Sequence, residues 1–209
     1  MNTTIDCRKL WDTALPGFEK SHDLVQKYMD ALLAMNHSLN FISRKLSADD
    51  VFVDHILDCA LAAPYIKKGE TVLDFGTGGG LPGVVLALCQ PQARFVLYDK
   101  SPKKMTYLAR MVKALRCANV SLASAPEDLP DGISTLTSRA VGPIAKVLTL
   151  VDAILVEPPA RCLFYKGRRE SVDEDIATMN DGKYESSVHV LPYPGGLKQR
   201  HLVELKLKK

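Results

Sequence analysis

Four glycines crowd five positions in the run Leu73-Asp-Phe-Gly-Thr-Gly-Gly-Gly-Leu-Pro-Gly83. The run follows a short apolar, β-branched stretch and precedes a helix opened by Pro82, so it reads as the turn leaving a first strand. Glycine tolerates positive φ and lets backbone amides approach a ligand, while the next helix N-terminus attracts negative charge. A polar or anionic small molecule is therefore expected there. The alternative is a tight turn that needs glycine for its geometry alone. Asp99 closes a second strand 23 residues after Gly76, where its carboxylate could accept both ribose hydroxyls of a nucleoside. Gly78, Gly80 and Gly83 also satisfy G-x-G-x-x-G. On spacing alone, an NAD-dependent oxidoreductase and an S-adenosylmethionine-dependent methyltransferase fit equally. Asp74, at the strand end where it could hold the loop or meet an ammonium group, favours the methyltransferase weakly.

Basic side chains supply a second kind of chemistry. Lys100, Lys103, Lys104, Arg110, Lys113 and Arg116 form an acid-free run. On a helix with Leu108, Met111, Val112 and Leu115 inward, Lys103, Arg110 and Lys113 project outward. Such a face suits phosphates, and it keeps open a third reading, a non-catalytic RNA-binding protein that retains the fold. A merely solvated helix face is the plainer reading. Arg139 ends a strand on the ligand side of the sheet, well placed for a phosphate or a guanine edge, and Arg200-His201 opens the last strand. His55 and Asp58 lie one helical turn apart, which suggests a core hydrogen-bond role.

The elements that must position these groups follow from hydrophobic period. Leu24, Val25, Tyr28, Leu32 and Met35 predict a helix over 23–35 that stops at a polar turn, Asn36 to Asn40. Ser47 with Asp50 resembles a capping box, and Phe52, Ile56, Cys59 and Ala63 share the helical face that follows. From Thr71 the pattern alternates: strand 71–75, helix 82–90, strand 94–98, helix 102–116, strand 120–123, strand 133–138, helix 143–156. Strands 162–165, 187–191 and 202–207 end the chain, with a helix over 171–179. Pro192 to Gly196 is too short for a crossover, so the last two strands should pair antiparallel. The expected fold class is α/β, a doubly wound, mostly parallel seven-stranded sheet that ends in an antiparallel hairpin. An N-terminal helical extension, 1–68, should pack on a body spanning 69–209.

Composition narrows the class. The 209 residues are 46% hydrophobic and 24% charged, ordinary for a globular protein, with a formal net charge of +3. Five scattered cysteines without a CxxC pair argue against a disulfide framework and a zinc cage, so no metal is expected. The longest unbroken apolar run, Val84 to Cys89, is too short for a membrane span, and the first residues lack a signal-peptide pattern. A cytoplasmic protein is expected.

In order along the chain, Leu39-Asn-Phe-Ile-Ser43, His55-Ile-Leu-Asp58, Asp74-Phe-Gly-Thr-Gly-Gly-Gly-Leu-Pro-Gly83, Asp99 with Lys103-Lys104, Pro126-Glu127, Ser138-Arg-Ala140, Lys166-Gly167 and Arg200-His201 resemble the motifs of the ribosomal RNA small-subunit methyltransferase G family, also called glucose-inhibited division protein B. The resemblance implies a Rossmann-like class I methyltransferase that moves a methyl group from S-adenosylmethionine to N7 of a guanine in the 530 loop of 16S rRNA. The substrate would be met within a small-subunit particle, by a monomer. Carried over, the cofactor residues are Gly76, Gly78, Leu81, Asp99, Lys100, Pro126, Glu127 and Arg139. Those for RNA are Lys103, Lys104, Lys166 and Arg200. The sequence departs from the family's pattern at Asp54 and Cys59, where arginine and serine are usual, in the loop Lys100-Ser-Pro102, and at Pro126. An acid at 54 argues against a phosphate contact by that helix.

Guanine N7 carries an in-plane lone pair and no proton, so its attack on a sulfonium methyl needs no general base, only in-line placement. Arg139 and Arg200 are accordingly expected to position the reactants rather than transfer protons.

Overall fold

The computed structural model describes residues 5–179, 182–194 and 198–208. Helices α1 (Cys7–Ala14) and α2 (His22–Leu39) come first. Ser47 then opens a compound helical segment: α3 (Ala48–Val51), a π-helical turn (Phe52–Leu57) and α4 (Asp58–Ala60). The α/β part follows as β1 (Thr71–Phe75), α5 (Gly83–Cys89), β2 (Arg94–Tyr98), α6 (Pro102–Ala114), β3 (Val120–Ala123), β4 (Thr135–Arg139), α7 (Ile144–Asp152), β5 (Arg161–Lys166), α8 (Arg169–Thr178), β6 (Tyr184–Val190) and β7 (His201–Leu207).

The seven strands lie in the order β3-β2-β1-β4-β5-β7-β6. Pairings among the first five strands are parallel, while β7 runs antiparallel to both β5 and β6. The expected mixed sheet and its closing hairpin are thus present, although Gly195 and Gly196 of the predicted connection lie outside the described residues. Alternation along each strand divides the core in two. Val72, Phe95, Leu97 and Leu163 face a cluster that includes Trp11, Tyr28, Leu32, Ile56, Val84 and Leu108. Leu73, Val96, Leu136 and Phe164 face Ile144, Val147, Val151 and Val172 instead. Side chains of period 2 on a central sheet require apolar helices on both faces, which is the doubly wound arrangement. Among the described residues no helix is long and apolar enough to cross a membrane.

Two helical expectations are corrected. The polar turn at Asn36 to Asn40 does not stop α2, which runs to Leu39 before Asn40 takes φ +50°. The buried Asn36 amide donates to the Ile42 carbonyl and accepts from the Ile42 N–H, both at 3.0 Å, so it does not compete for its own helix backbone. The Ser47 capping box is present: the Asp50 N–H donates to Ser47 Oγ and the Ser47 N–H to the Asp50 carboxylate, each at 3.1 Å. The helix it starts is not uniform, because the π-helical turn widens it at 52–57. Phe52, Ile56, Cys59 and Ala63 are nevertheless all buried, as the shared face requires.

Candidate functional site

The chain reverses its strand order between β1 and β4, and the carboxyl ends of β1 and β2 open into a crevice of about 560 Å³ there. Such switch points are where open α/β sheets hold ligands, and the volume suits a nucleoside-sized molecule. Gly76, Asp99, Lys100, Lys104, Val141 and Lys146 line it beside Phe75 and Tyr98, whose rings stack at 5.5 Å. Gly76 has φ +74°, and a Cβ on it would lie 2.5 Å from Val141 Cγ2. Only glycine lets the loop pass that close to Val141.

The remaining glycines divide by task. Gly78 has φ +58° with open space around it, and its N–H donates to Asp99 Oδ2 at 3.0 Å. Gly80 and Gly83 face the protein interior: a Cβ would meet Val84 Cγ2 at 2.6 Å from Gly80 and Leu97 Cδ2 at 2.3 Å from Gly83. Asp74, fully buried, accepts Thr77 Oγ1–H at 2.6 Å and the Gly83 N–H at 2.8 Å. Of the two roles expected for Asp74 the structure shows loop holding, and burial pushes its carboxyl up to about 6. The first amide of α5 is therefore already bound to a side chain of the protein. A pyrophosphate at that helix end, as a dinucleotide requires, would compete with Asp74 and find Gly80 turned inward.

Asp99 is 8% exposed and held by two amides, Gly78 N–H to Oδ2 and Ser101 N–H to Oδ1 at 2.9 Å, with Lys104 Nζ 3.6 Å from Oδ2. A carboxylate offers about four acceptor positions, so two remain for the paired hydroxyls of a ribose. This donor and acceptor set fits an adenosyl group.

Not every expected cofactor residue reaches the crevice. Leu81 is buried in the core cluster facing α2. Pro126 lines a neighbouring cavity of about 210 Å³ that shares Ile154 with the first, while Glu127 is exposed on the short turn after β3. Val141 and Lys146 do line it, and nothing in their local sequence signals that. Lys103 is exposed and Lys104 half-buried at the start of α6. Lys166 was expected at RNA, but its ammonium is engaged: it pairs with Asp175 at 2.7 Å and donates to the Gly142 carbonyl at 3.1 Å, leaving the side chain 14% exposed.

Arg139 lies away from the crevice lining, against the π-helical turn. Its Nη1 donates to Asp58 Oδ2 at 3.2 Å and the Asp54 carbonyl at 3.4 Å, and its Nη2 donates to His55 Nδ1 at 2.9 Å. Arg200 Nε and Tyr193 O–H donate to Asp58 Oδ1 at 3.2 and 3.1 Å. Asp54 pairs with Lys198. The acid at 54 thus serves an internal ion pair, in keeping with the expected loss of a phosphate contact. Because arginine can only donate, His55 Nδ1 is an acceptor, so the neutral ring carries its proton on Nε2.

Burial and the Arg139 charge push the His55 imidazole down to about 4 from an ordinary 6.5. Between those values the unfolded chain binds the proton and the folded chain does not, so His55 contributes stability above pH 6.5 that is lost as pH falls towards 4. The raised Asp74 carboxyl acts in the opposite sense between 3.8 and about 6. His55→Asn keeps an acceptor near Nδ1 without titrating. Urea midpoints of the wild type should therefore fall more steeply from pH 6.5 to 4.5 than those of the variant, and equal slopes would contradict the neutral histidine.

Among the described residues no three His, Cys, Asp or Glu side chains are grouped to hold a metal ion. The family model described as rRNA small subunit methyltransferase G matches residues 21–203. Ribosomal RNA small subunit methyltransferase G of Chlorobaculum tepidum is 38% identical over 167 residues, covering 78% of this chain and 75% of that one. Ribosomal RNA small subunit methyltransferase G 1 of Bdellovibrio bacteriovorus is 31% identical over 182 residues, covering 86% and 87%. Among solved structures, Aeropyrum pernix fibrillarin with natively bound S-adenosyl-L-methionine superposes with a TM-score of 0.52 at 19% identity, covering 71% of this chain and 73% of that one. The Bacillus subtilis m1A22 tRNA methyltransferase TrmK gives 0.55 at 16%, covering 73% and 66%. The solved structures share the Rossmann-like methyltransferase fold, and the extent of the family match decides the rest: the chain belongs to the rRNA small subunit methyltransferase G family.

Proposed function

We propose that this protein is an S-adenosylmethionine-dependent methyltransferase that methylates N7 of a guanine in the 530 loop of 16S rRNA, acting as a monomer on a small-subunit particle. The observation that carries the cofactor half is Asp99, a buried carboxylate braced by two backbone amides with two acceptor positions left over at the switch-point crevice. Family membership supports the rRNA half. The cofactor supplies an electrophilic methyl on a sulfonium sulfur. The protein's own contribution is placement. Asp99 orients the ribose, Lys100 and Gly76 border the same crevice, and Gly78 holds Asp99 through its amide. Pro126 lines the neighbouring cavity and Glu127 lies exposed beside it on the turn after β3, on the adenine side. Lys103 and Lys104, at the start of α6, are assigned to RNA phosphate, and Arg139 and Arg200 to positioning the acceptor base, Arg200 directly and Arg139 from behind it. No side chain is asked to move a proton, since N7 has none to lose.

The direct test incubates the protein and labelled S-adenosylmethionine with small subunits lacking the modification. Label is expected as 7-methylguanine in the 530 loop of 16S rRNA, and unlabelled rRNA overturns the reading. Calorimetry separates the cofactors, with S-adenosylmethionine expected to bind and NAD not. Asp99→Ala should weaken S-adenosylmethionine about 10- to 100-fold, the value of one or two hydrogen bonds to a charged group. Unaltered affinity would place the ribose elsewhere.

A further inference from the structure

We propose that Asp58 is a positioning residue for the acceptor guanine: it anchors Arg200 through Nε, leaving the two-pronged end of that guanidinium to hold the base, while Arg139 braces Asp58 from the protein side. The inference rests on the rRNA methylation reading and names a residue which that reading leaves without a task.

Three donors remote in sequence converge on this one carboxylate, whose side chain is 6% exposed: Arg139 Nη1 at 3.2 Å, Arg200 Nε at 3.2 Å and Tyr193 O–H at 3.1 Å. The two arginines are not equivalent. Arg139 is 15% exposed, with both terminal nitrogens engaged by Asp58, His55 and the Asp54 carbonyl. Among the described residues Arg200 engages only Nε, and its side chain is 29% exposed. Nη1 and Nη2 of Arg200 therefore keep the fork geometry that suits a planar acceptor such as guanine O6.

Charge favours the same division of labour. One carboxylate between two guanidinium groups leaves a net positive cluster, attractive to RNA. Anchoring also matters entropically, since an arginine held by Nε has lost most of its rotamer freedom before substrate arrives. Tyr193 O–H also lies 3.1 Å from the Val53 carbonyl, and Lys198 pairs with Asp54, so Tyr193 and Lys198 each meet the π-helical turn that Arg200 reaches through Asp58. Wide helical turns of this kind recur at functional sites, and here the turn and the residue after it present Asp54, His55 and Asp58 to the arginines.

The test uses the full-length protein, S-adenosylmethionine and unmodified small subunits. Asp58→Asn leaves one acceptor oxygen for three donors, so kcat should fall about 100-fold, the scale of a misplacement near 1 Å, while S-adenosylmethionine affinity by calorimetry stays within about twofold. The Arg200 Hε resonance, slowly exchanging in the wild type, should exchange rapidly in the variant, a change that loss of folded protein alone does not produce. In an Arg200→Lys background, which has no Nε, adding Asp58→Asn should cost no more than about a further twofold. Multiplying effects in the double variant overturn the inference, as does an Asp58→Asn protein of wild-type kcat. If Asp58→Asn does not fold, Asp58→Glu, which displaces the anchor by one methylene, takes its place: a tenfold lower kcat supports the inference and wild-type kcat overturns it. A wild type that leaves the rRNA unlabelled overturns the functional reading, and this inference with it. A labelling wild type beside an equally fast variant overturns this inference alone.

Discussion

Gly78→Val should weaken S-adenosylmethionine binding by up to about 100-fold while the protein remains folded. Gly78 sits at φ +58°, where a β-branched residue costs roughly 1–2 kcal/mol or more. That cost is strain rather than collision, because among the described residues beyond its chain neighbours the nearest atom to a Cβ there is the Gly76 carbonyl oxygen at 3.9 Å. A domain of ordinary stability tolerates it, but the loop can relieve it by rotating the peptide. Rotation withdraws the N–H that holds Asp99 Oδ2 at 3.0 Å, and the ribose acceptor loses its orientation. A misplaced Asp99 forfeits the ribose contact that Asp99→Ala removes, so binding should weaken by up to about 100-fold, some 2.7 kcal/mol, against a fall of a few degrees in Tm. Gly78→Asn is the control, since asparagine enters the left-handed region readily, and it should bind within about tenfold of wild type. Calorimetry and thermal melts decide. Wild-type affinity in the valine variant would show that the conformation of residue 78 does not govern the site.

Arg139→Ala should lose turnover about 100-fold at saturating S-adenosylmethionine, the scale of misplacing the acceptor base by about 1 Å once the brace behind Asp58 is gone. Stability should fall far less than turnover. The structure adds a cost: Arg139 is 15% exposed and satisfies Asp58, His55 and a backbone carbonyl. Asp58 keeps Arg200 and Tyr193 in the variant, so the loss should be about 2 kcal/mol rather than the larger penalty of a fully stranded buried charge. Single-turnover rates on small subunits and urea midpoints measure the two effects separately. A fully active Arg139→Ala would remove the arginine cluster from the methyl-transfer site.

Much of the fold was legible because its cues are local. Alternating and 3.6-residue periods marked the strands and helices of the α/β part, although the helix predicted over 143–156 ends at Asp152 and the strand predicted from Ile133 begins at Thr135. Turn composition located the final hairpin. The glycine run and Asp99 were legible for a similar reason: a strand end followed by glycines has few three-dimensional solutions, and a carboxylate closing the next parallel strand must lie beside them.

Pairing across the chain was not legible. Arg139 and Asp58 are 81 positions apart, and Arg200 and Asp58 are 142 apart. No spacing rule joins them, because they meet only after β4, β7 and the π-helical turn have packed. The same limit explains Lys166, a lysine at a strand end by sequence and an ion-paired partner of Asp175 in the fold. It also explains Leu81, whose position in the glycine motif suggested ligand contact but whose side chain the core takes up.

The amino-acid order determined by itself which segments become strands and helices, that the sheet is mainly parallel, and where its ligand-bearing end lies, since those follow from period, turn chemistry and the handedness of crossovers. Tertiary packing alone decided which charges are paired inside the protein and which stay at its surface. A charged side chain's partner is set by distance in space, and chain spacing carries no record of it.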